Sequence, residues 1–109
     1  MREFPYPTEF DPPEIPQQFN SGLAAQLPTL RTASPGLTLT LFDIGALSAE
    51  VFANPGTFNF TNITQPCVVS QPPSVCATPN AFFFWDGFHP TGATGRLVAQ
   101  RALAVLPPR

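Results

Sequence analysis

Fifteen prolines in 109 residues decide where this chain can be regular. Each fixes its own φ, withholds an amide proton and pushes the residue before it out of the helical region. Five of them fall within residues 1–16, together with four acidic side chains and no hydrophobic period, so that stretch reads as an extended arm. Others act as punctuation: Ser34-Pro35-Gly36, Asn54-Pro55-Gly56, Pro90 and Pro107-Pro108 bracket patterned segments. Proline and glycine together make up about a fifth of the chain, below the roughly 25–30% at which disorder becomes the default reading. The prolines therefore imply loops between elements of one small domain, or of a piece of a larger one.

Between these breaks the apolar residues show their periods. Phe19, Leu23, Leu27 and Leu30 recur at helical spacing, so an amphipathic helix is expected from Gln17 to about Arg31, with Pro28 as its potential kink. Leu37 to Asp43 alternates leucine with threonine and predicts a strand. Residues 44–53 return to helical spacing through Leu47, Val51 and Phe52, and residues 56–80 read as a long loop region containing both cysteines. Ala81 to Trp85 is wholly apolar and fits a buried strand or the wall of an apolar pocket. Thr91 then caps a helix to about Leu106, with Leu97, Val98, Ala102, Val105 and Leu106 on its apolar face. Helices alternating with short strands predict an α/β layer with a parallel sheet.

Several function classes fall away on composition. The chain has five arginines, no lysine and a net charge of −2, so no basic patch points to nucleic acid or anionic lipid. No apolar run approaches the ~20 residues needed to cross a bilayer, and the N-terminus lacks the apolar stretch of a signal peptide. One histidine and two cysteines do not make a zinc set, and no cofactor is expected. Cys67 and Cys76 are either two reduced thiols or a disulfide, and the disulfide would place the chain in an oxidising compartment. Asn59-Phe60-Thr61 and Asn62-Ile63-Thr64 match the glycosylation pattern, which is common by chance.

With a single histidine, any imidazole chemistry must run through His89, in Trp85-Asp86-Gly87-Phe88-His89-Pro90-Thr91. Gly87 permits a tight turn and Pro90 keeps His89 out of the helical region, so Asp86 and His89 can face each other. An aspartate at the imidazole would fix its tautomer and stabilise the imidazolium, as a base acting on serine requires. On these residues alone, an Asp-Gly turn followed by a surface histidine is the simpler reading. The serines Ser21, Ser34, Ser48, Ser70 and Ser74 all lie outside any Gly-x-Ser-x-Gly elbow.

Phe84-Trp85-Asp86-Gly87-Phe88-His89-Pro90-Thr91 resembles the last block of the GDSL-type, or SGNH, lipases and esterases. Upstream, Phe19-Asn20 with Leu23 and Leu27, then Leu41-Phe42-Asp43, then Asn54-Pro55 with Phe58, Phe60, Asn62 and the two cysteines, are similar to that family's approach to the block. The resemblance covers residues 17–106 and implies part of a three-layer α/β/α fold, with parallel strands and a C-terminal helix. It implies Asp86 and His89 as the catalytic acid and base of a Ser-His-Asp triad acting on carboxylic esters such as lipids, in a secreted or periplasmic protein. Two departures stand out. The family's Gly-Asp-Ser block and its oxyanion-donor Gly and Asn are not found here, and Gly95 stands where a second histidine often follows.

The expectation is thus a C-terminal third of such an enzyme, inactive alone and needing the missing N-terminal part to meet an ester substrate. A sheet without its partner strands exposes an apolar edge, so aggregation or pairing with a complementary fragment is also expected. Two rivals stay open: a non-catalytic product of a degraded gene, and a small secreted binding module held by Cys67–Cys76 with Phe82–Trp85 as its contact surface.

Overall fold

The computed structural model describes residues 14–107. The arm expected over residues 1–16 lies outside the described residues as far as position 13. The first helix, α1, spans Glu14–Ala33, so it starts three positions before the expected Gln17. It carries Pro28 in its interior, and the Thr32 hydroxyl donates to the Pro28 carbonyl at 3.0 Å. The second helix, α2, spans Ile44–Ala53, the expected range, because local signals fix both ends. The Asp43 carboxylate accepts from the Ala46 amide at 2.9 Å at its start, and Asn54-Pro55 ends it. The third helix, α3, spans Gly92–Val105, with Thr91 as its cap.

Two expectations about strands are overturned. Leu37–Asp43 joins no strand ladder among the described residues. A strand needs a neighbour to satisfy its backbone; here Leu37 and Leu41 stay exposed, and the Arg31 guanidinium takes the Leu39 carbonyl at 2.8 and 3.2 Å. Conversely, the stretch read as loop holds three short strands: β1 (Asn62–Pro66), β2 (Val68–Ser70) and β3 (Pro73–Val75). Their prolines sit at strand ends, where a missing amide is tolerated.

Strand β4 (Phe82–Phe84) pairs in parallel with β1, and β2 and β3 form an antiparallel hairpin. The register of the parallel pair slips between Asn62↔Phe82 and Pro66↔Phe84, so β1 bulges against the shorter β4. Within the bulge, Asn62 Oδ1 accepts the amides of Thr64 and Gln65 at 3.0 and 2.8 Å. Pairing then continues past the strands through Cys67 N to the Phe84 carbonyl (3.0 Å) and Val68 N to the Trp85 carbonyl (2.8 Å).

The core lies where α2, α3 and β4 meet. Val51 is fully buried, Leu47, Phe60 and Phe83 nearly so, with Phe42, Phe58, Ile63, Phe84, Leu97 and Val98 packed around them. The Phe83 ring meets Phe52, Phe60 and Phe84 edge-on at centroid distances of 4.9, 5.6 and 4.9 Å. Burying each such side chain contributes roughly 1.5–3 kcal/mol. Within the 81–85 run, Phe82–Phe84 is therefore a strand, with Phe83 turned into the core, Phe82 and Phe84 half-buried and Trp85 exposed. Arg101 of α3 ties the two helices together with a bidentate pair to Glu50 of α2 at 2.8 and 3.0 Å, its guanidinium lying 5.7 Å from the Phe58 ring centre. The result is an α/β arrangement, a parallel pair of strands with helices packed on it and a helix at the C-terminal end. Among the described residues no helix is long and apolar enough to cross a membrane, and no group of three metal-ligating side chains occurs.

Candidate active site

Between β4 and α3 the chain makes a loop pinched at its base. Trp85 N donates to the His89 carbonyl at 2.9 Å, Phe84 bridges Pro90 in antiparallel fashion, and Thr91 N donates to the Phe83 carbonyl at 3.0 Å. Strand and helix thereby hold the two ends of the loop side by side, with Asp86 one residue past the first anchor and His89 at the other.

Inside the loop Asp86 organises everything. Its Oδ1 accepts the amides of Phe88 and His89 at 2.8 and 2.7 Å, and both carboxylate oxygens lie 3.0 Å from His89 Nδ1. The Phe88 amide, followed by the imidazole, holds the Asp86 carboxyl below its ordinary range. An ionised carboxylate only accepts, so Nδ1 must carry the proton and the neutral ring presents its lone pair at Nε2. The imidazole is 71% exposed and the carboxylate 35%; the Phe88 ring lies edge-on to the imidazole with centroids 6.4 Å apart. The arrangement is an imidazole held at Nδ1 by a carboxylate and open to solvent.

The five serines are placed elsewhere: Ser21 on α1, Ser34 just after it, Ser48 on α2, and Ser70 and Ser74 in the β2–β3 hairpin. Among the described residues none of them hydrogen-bonds His89. Cys67 and Cys76 are joined as a disulfide across the base of that hairpin, with Cα atoms 4.8 Å apart and Cys76 N donating to the Cys67 carbonyl at 2.7 Å. Of the aromatic run, Phe83 points into the core, Phe82 and Phe84 are half-buried and Trp85 is exposed, at 39%. One residue that the sequence reading passed over also belongs here. Thr94 is buried and donates its hydroxyl to the Phe83 carbonyl at 2.8 Å; its partner lies eleven residues away, so no local pattern marks it.

A family model described as GDSL-like lipase/acylhydrolase matches residues 11–102. Among curated proteins, the chain is 30% identical over 96 residues to a GDSL esterase/lipase of Arabidopsis thaliana, covering 78% of this chain and 26% of that protein. A second GDSL esterase/lipase of the same plant is 26% identical over 96 residues, covering 77% and 26%. The thermolabile hemolysin of Vibrio parahaemolyticus is 37% identical over 82 residues, covering 62% of this chain and 20% of the hemolysin. The chain thus spans about a quarter of the length of the plant relatives it matches.

Proposed function

The chain belongs to the GDSL-like lipase/acylhydrolase family, and on that premise we propose that it supplies the acid–base pair of a serine ester hydrolase. Asp86 orients the imidazole and His89 is the base. The observation that carries this reading is the approach of both Asp86 oxygens to His89 Nδ1 at 3.0 Å, which leaves Nε2 as the proton acceptor. In the reaction a serine oxygen attacks the ester carbonyl while Nε2 takes its proton; the imidazolium then protonates the departing alcohol, leaving an acyl-enzyme. Water repeats the sequence, giving its proton to Nε2, and releases the acid and the serine.

The serine and the oxyanion donors belong to sequence outside these 109 residues. Supporting this, the chain has no Gly-Asp-Ser block, and its five serines lie outside the loop. The complementary portion also gives an occupant to the apolar side chains left open here, Phe19, Leu23 and Leu30 of α1 with Leu37 and Leu41 of the unpaired 37–43 segment. Carboxylic esters, lipids among them, are the substrate class, in line with the esterase/lipase names of the plant relatives. The Cys67–Cys76 disulfide favours an oxidising compartment, hence secretion. The inward packing of Phe83 weighs against Phe82–Trp85 as a binding module's contact surface.

The test has two arms. The purified chain, offered a short-chain chromogenic ester and a fluorophosphonate probe, should show neither turnover nor labelling. Labelling that disappears in His89→Ala would make one of the five serines the nucleophile and overturn the external-serine reading. Grafted in place of the matching quarter of the Arabidopsis GDSL esterase/lipase, the chain should support ester hydrolysis that His89→Ala lowers by about 10³-fold or more. An active graft indifferent to that substitution would remove His89 from the chemistry.

A further inference from the structure

Among the described residues, Thr91 and Thr94 are the buried polar ones, 4% and 3% exposed. Their hydroxyls leave the helix and cross to β4. Thr91 Oγ1 donates to the Phe82 carbonyl at 2.6 Å and accepts the Thr94 amide at 3.3 Å as the helix cap. Thr94 Oγ1 donates to the Phe83 carbonyl at 2.8 Å and lies 3.2 Å from Thr91 Oγ1. A threonine hydroxyl inside a helix ordinarily bonds back to a carbonyl of the preceding turn. Here it bonds a strand eleven residues upstream, and that carbonyl also takes the Thr91 amide, so both of its lone pairs are used.

The consequence reaches the loop. Phe83 is three residues before Asp86, and Thr94 is five residues after His89. The seat of the first turn of α3 on β4 is one of the contacts that hold the two ends of the loop together, beside the Trp85 amide on the His89 carbonyl and the Phe84–Pro90 bridge. Thr91 caps the helix and touches the strand as well, so its loss would mix two effects. Thr94 separates them.

We propose that Thr94 is a positioning residue for His89: its hydroxyl on the Phe83 carbonyl fixes the seat of α3 and thereby the Asp86–His89 contact. The proposal rests on His89 as the base, yet its test reads geometry and not turnover. His89 is the sole histidine, so the imidazole nitrogens of the full ¹⁵N-labelled chain are identified without assignment. At about pH 8, where an ordinary imidazole is neutral, the unmodified chain and Thr94→Ser should show a protonated Nδ1 and an unprotonated Nε2. Thr94→Val, which keeps the shape and removes the hydroxyl, should lose that pattern and show the averaged shifts of a solvent-exposed histidine, with its circular dichroism unchanged.

A folded Thr94→Val that keeps the Nδ1-protonated pattern overturns the proposal. So does a Thr94→Ser that behaves like Thr94→Val, since the methyl group would then carry the effect. Unfolding of Thr94→Val beside a native Thr94→Ser makes the hydroxyl a determinant of the fold and not of position, and also overturns it. An unmodified chain with mixed tautomers would instead sink the acid–base reading beneath it, and the positioning role along with it.

Discussion

Helix α1 and helix α3 follow the same apolar spacing and meet different fates. In α3, Leu97 and Val98 pack onto the core around Phe83. In α1, a longer helix, Leu27 alone of the four periodic positions is buried, while Phe19 is 70% exposed. The strand-like segments that follow the same logic diverge further: Phe82–Phe84 finds β1 and becomes a strand, whereas Leu37–Asp43 finds no strand partner among the described residues and stays irregular. A helix satisfies its own backbone, so α1 forms without a partner; a strand cannot. The N-terminal region thus shows what its sequence does locally, and the C-terminal region what it does once packed.

Truncating one phenylalanine in each region gives the sharpest test of that contrast. Phe83→Ala should cost about 3–5 kcal/mol, and Phe19→Ala no more than about 0.5 kcal/mol, both read from urea unfolding. Comparable losses would mean that α1 is packed more tightly than its exposure indicates. Removing the disulfide with Cys67→Ser and Cys76→Ser should cost about 2.7 kcal/mol, the loop-closure value for ten residues. Because Cys67 N bonds the Phe84 carbonyl, faster amide exchange should follow around β1 and β4 and leave α1 unchanged. Acceleration spread evenly over both regions would break the comparison.

The smallest effect is that of pH. Arg101 holds the Glu50 carboxyl below its ordinary value, and the Phe88 amide with His89 does the same for Asp86. A group whose folded pKa is depressed lends stability above its unfolded value, about 4 for a carboxylate, and loses it as pH falls through the folded one. Urea midpoints should therefore hold steady down to about pH 5 and decline below it. Glu50→Gln should flatten part of that decline and make it less sensitive to salt. A decline that Glu50→Gln leaves intact would place the acid-sensitive charge outside the α2–α3 contact.

Legibility in the sequence followed the same division. Helices α2 and α3 were readable almost to the residue because Asp43, Asn54-Pro55 and Thr91 act within one turn of chain. The 37–43 segment misled because its alternation describes a strand, and a strand needs a neighbour that the described residues do not supply. The short strands in 62–75 were hidden by prolines that turn out to sit at strand ends. At the loop, Asp86 and His89 were found through a resemblance, while the residues alone favoured a surface histidine after an Asp-Gly turn. In the structure the ring is exposed, and the aspartate that accepts the turn amides also lies against Nδ1.

In kinetic terms, the loop has a contact order close to the minimum. Asp86 and His89 are three residues apart, and closing even a ten-residue loop takes about 10–100 ns. Loop closure therefore takes the pair almost no time once α3 has seated on β4, through a contact between residues only eleven apart. A serine brought by a distant stretch of chain must wait for non-local strand pairing, the slow part of folding an α/β protein. On the proposed function, assembly of such a site would then be timed by arrival of the nucleophile at a pair already seated by β4 and α3.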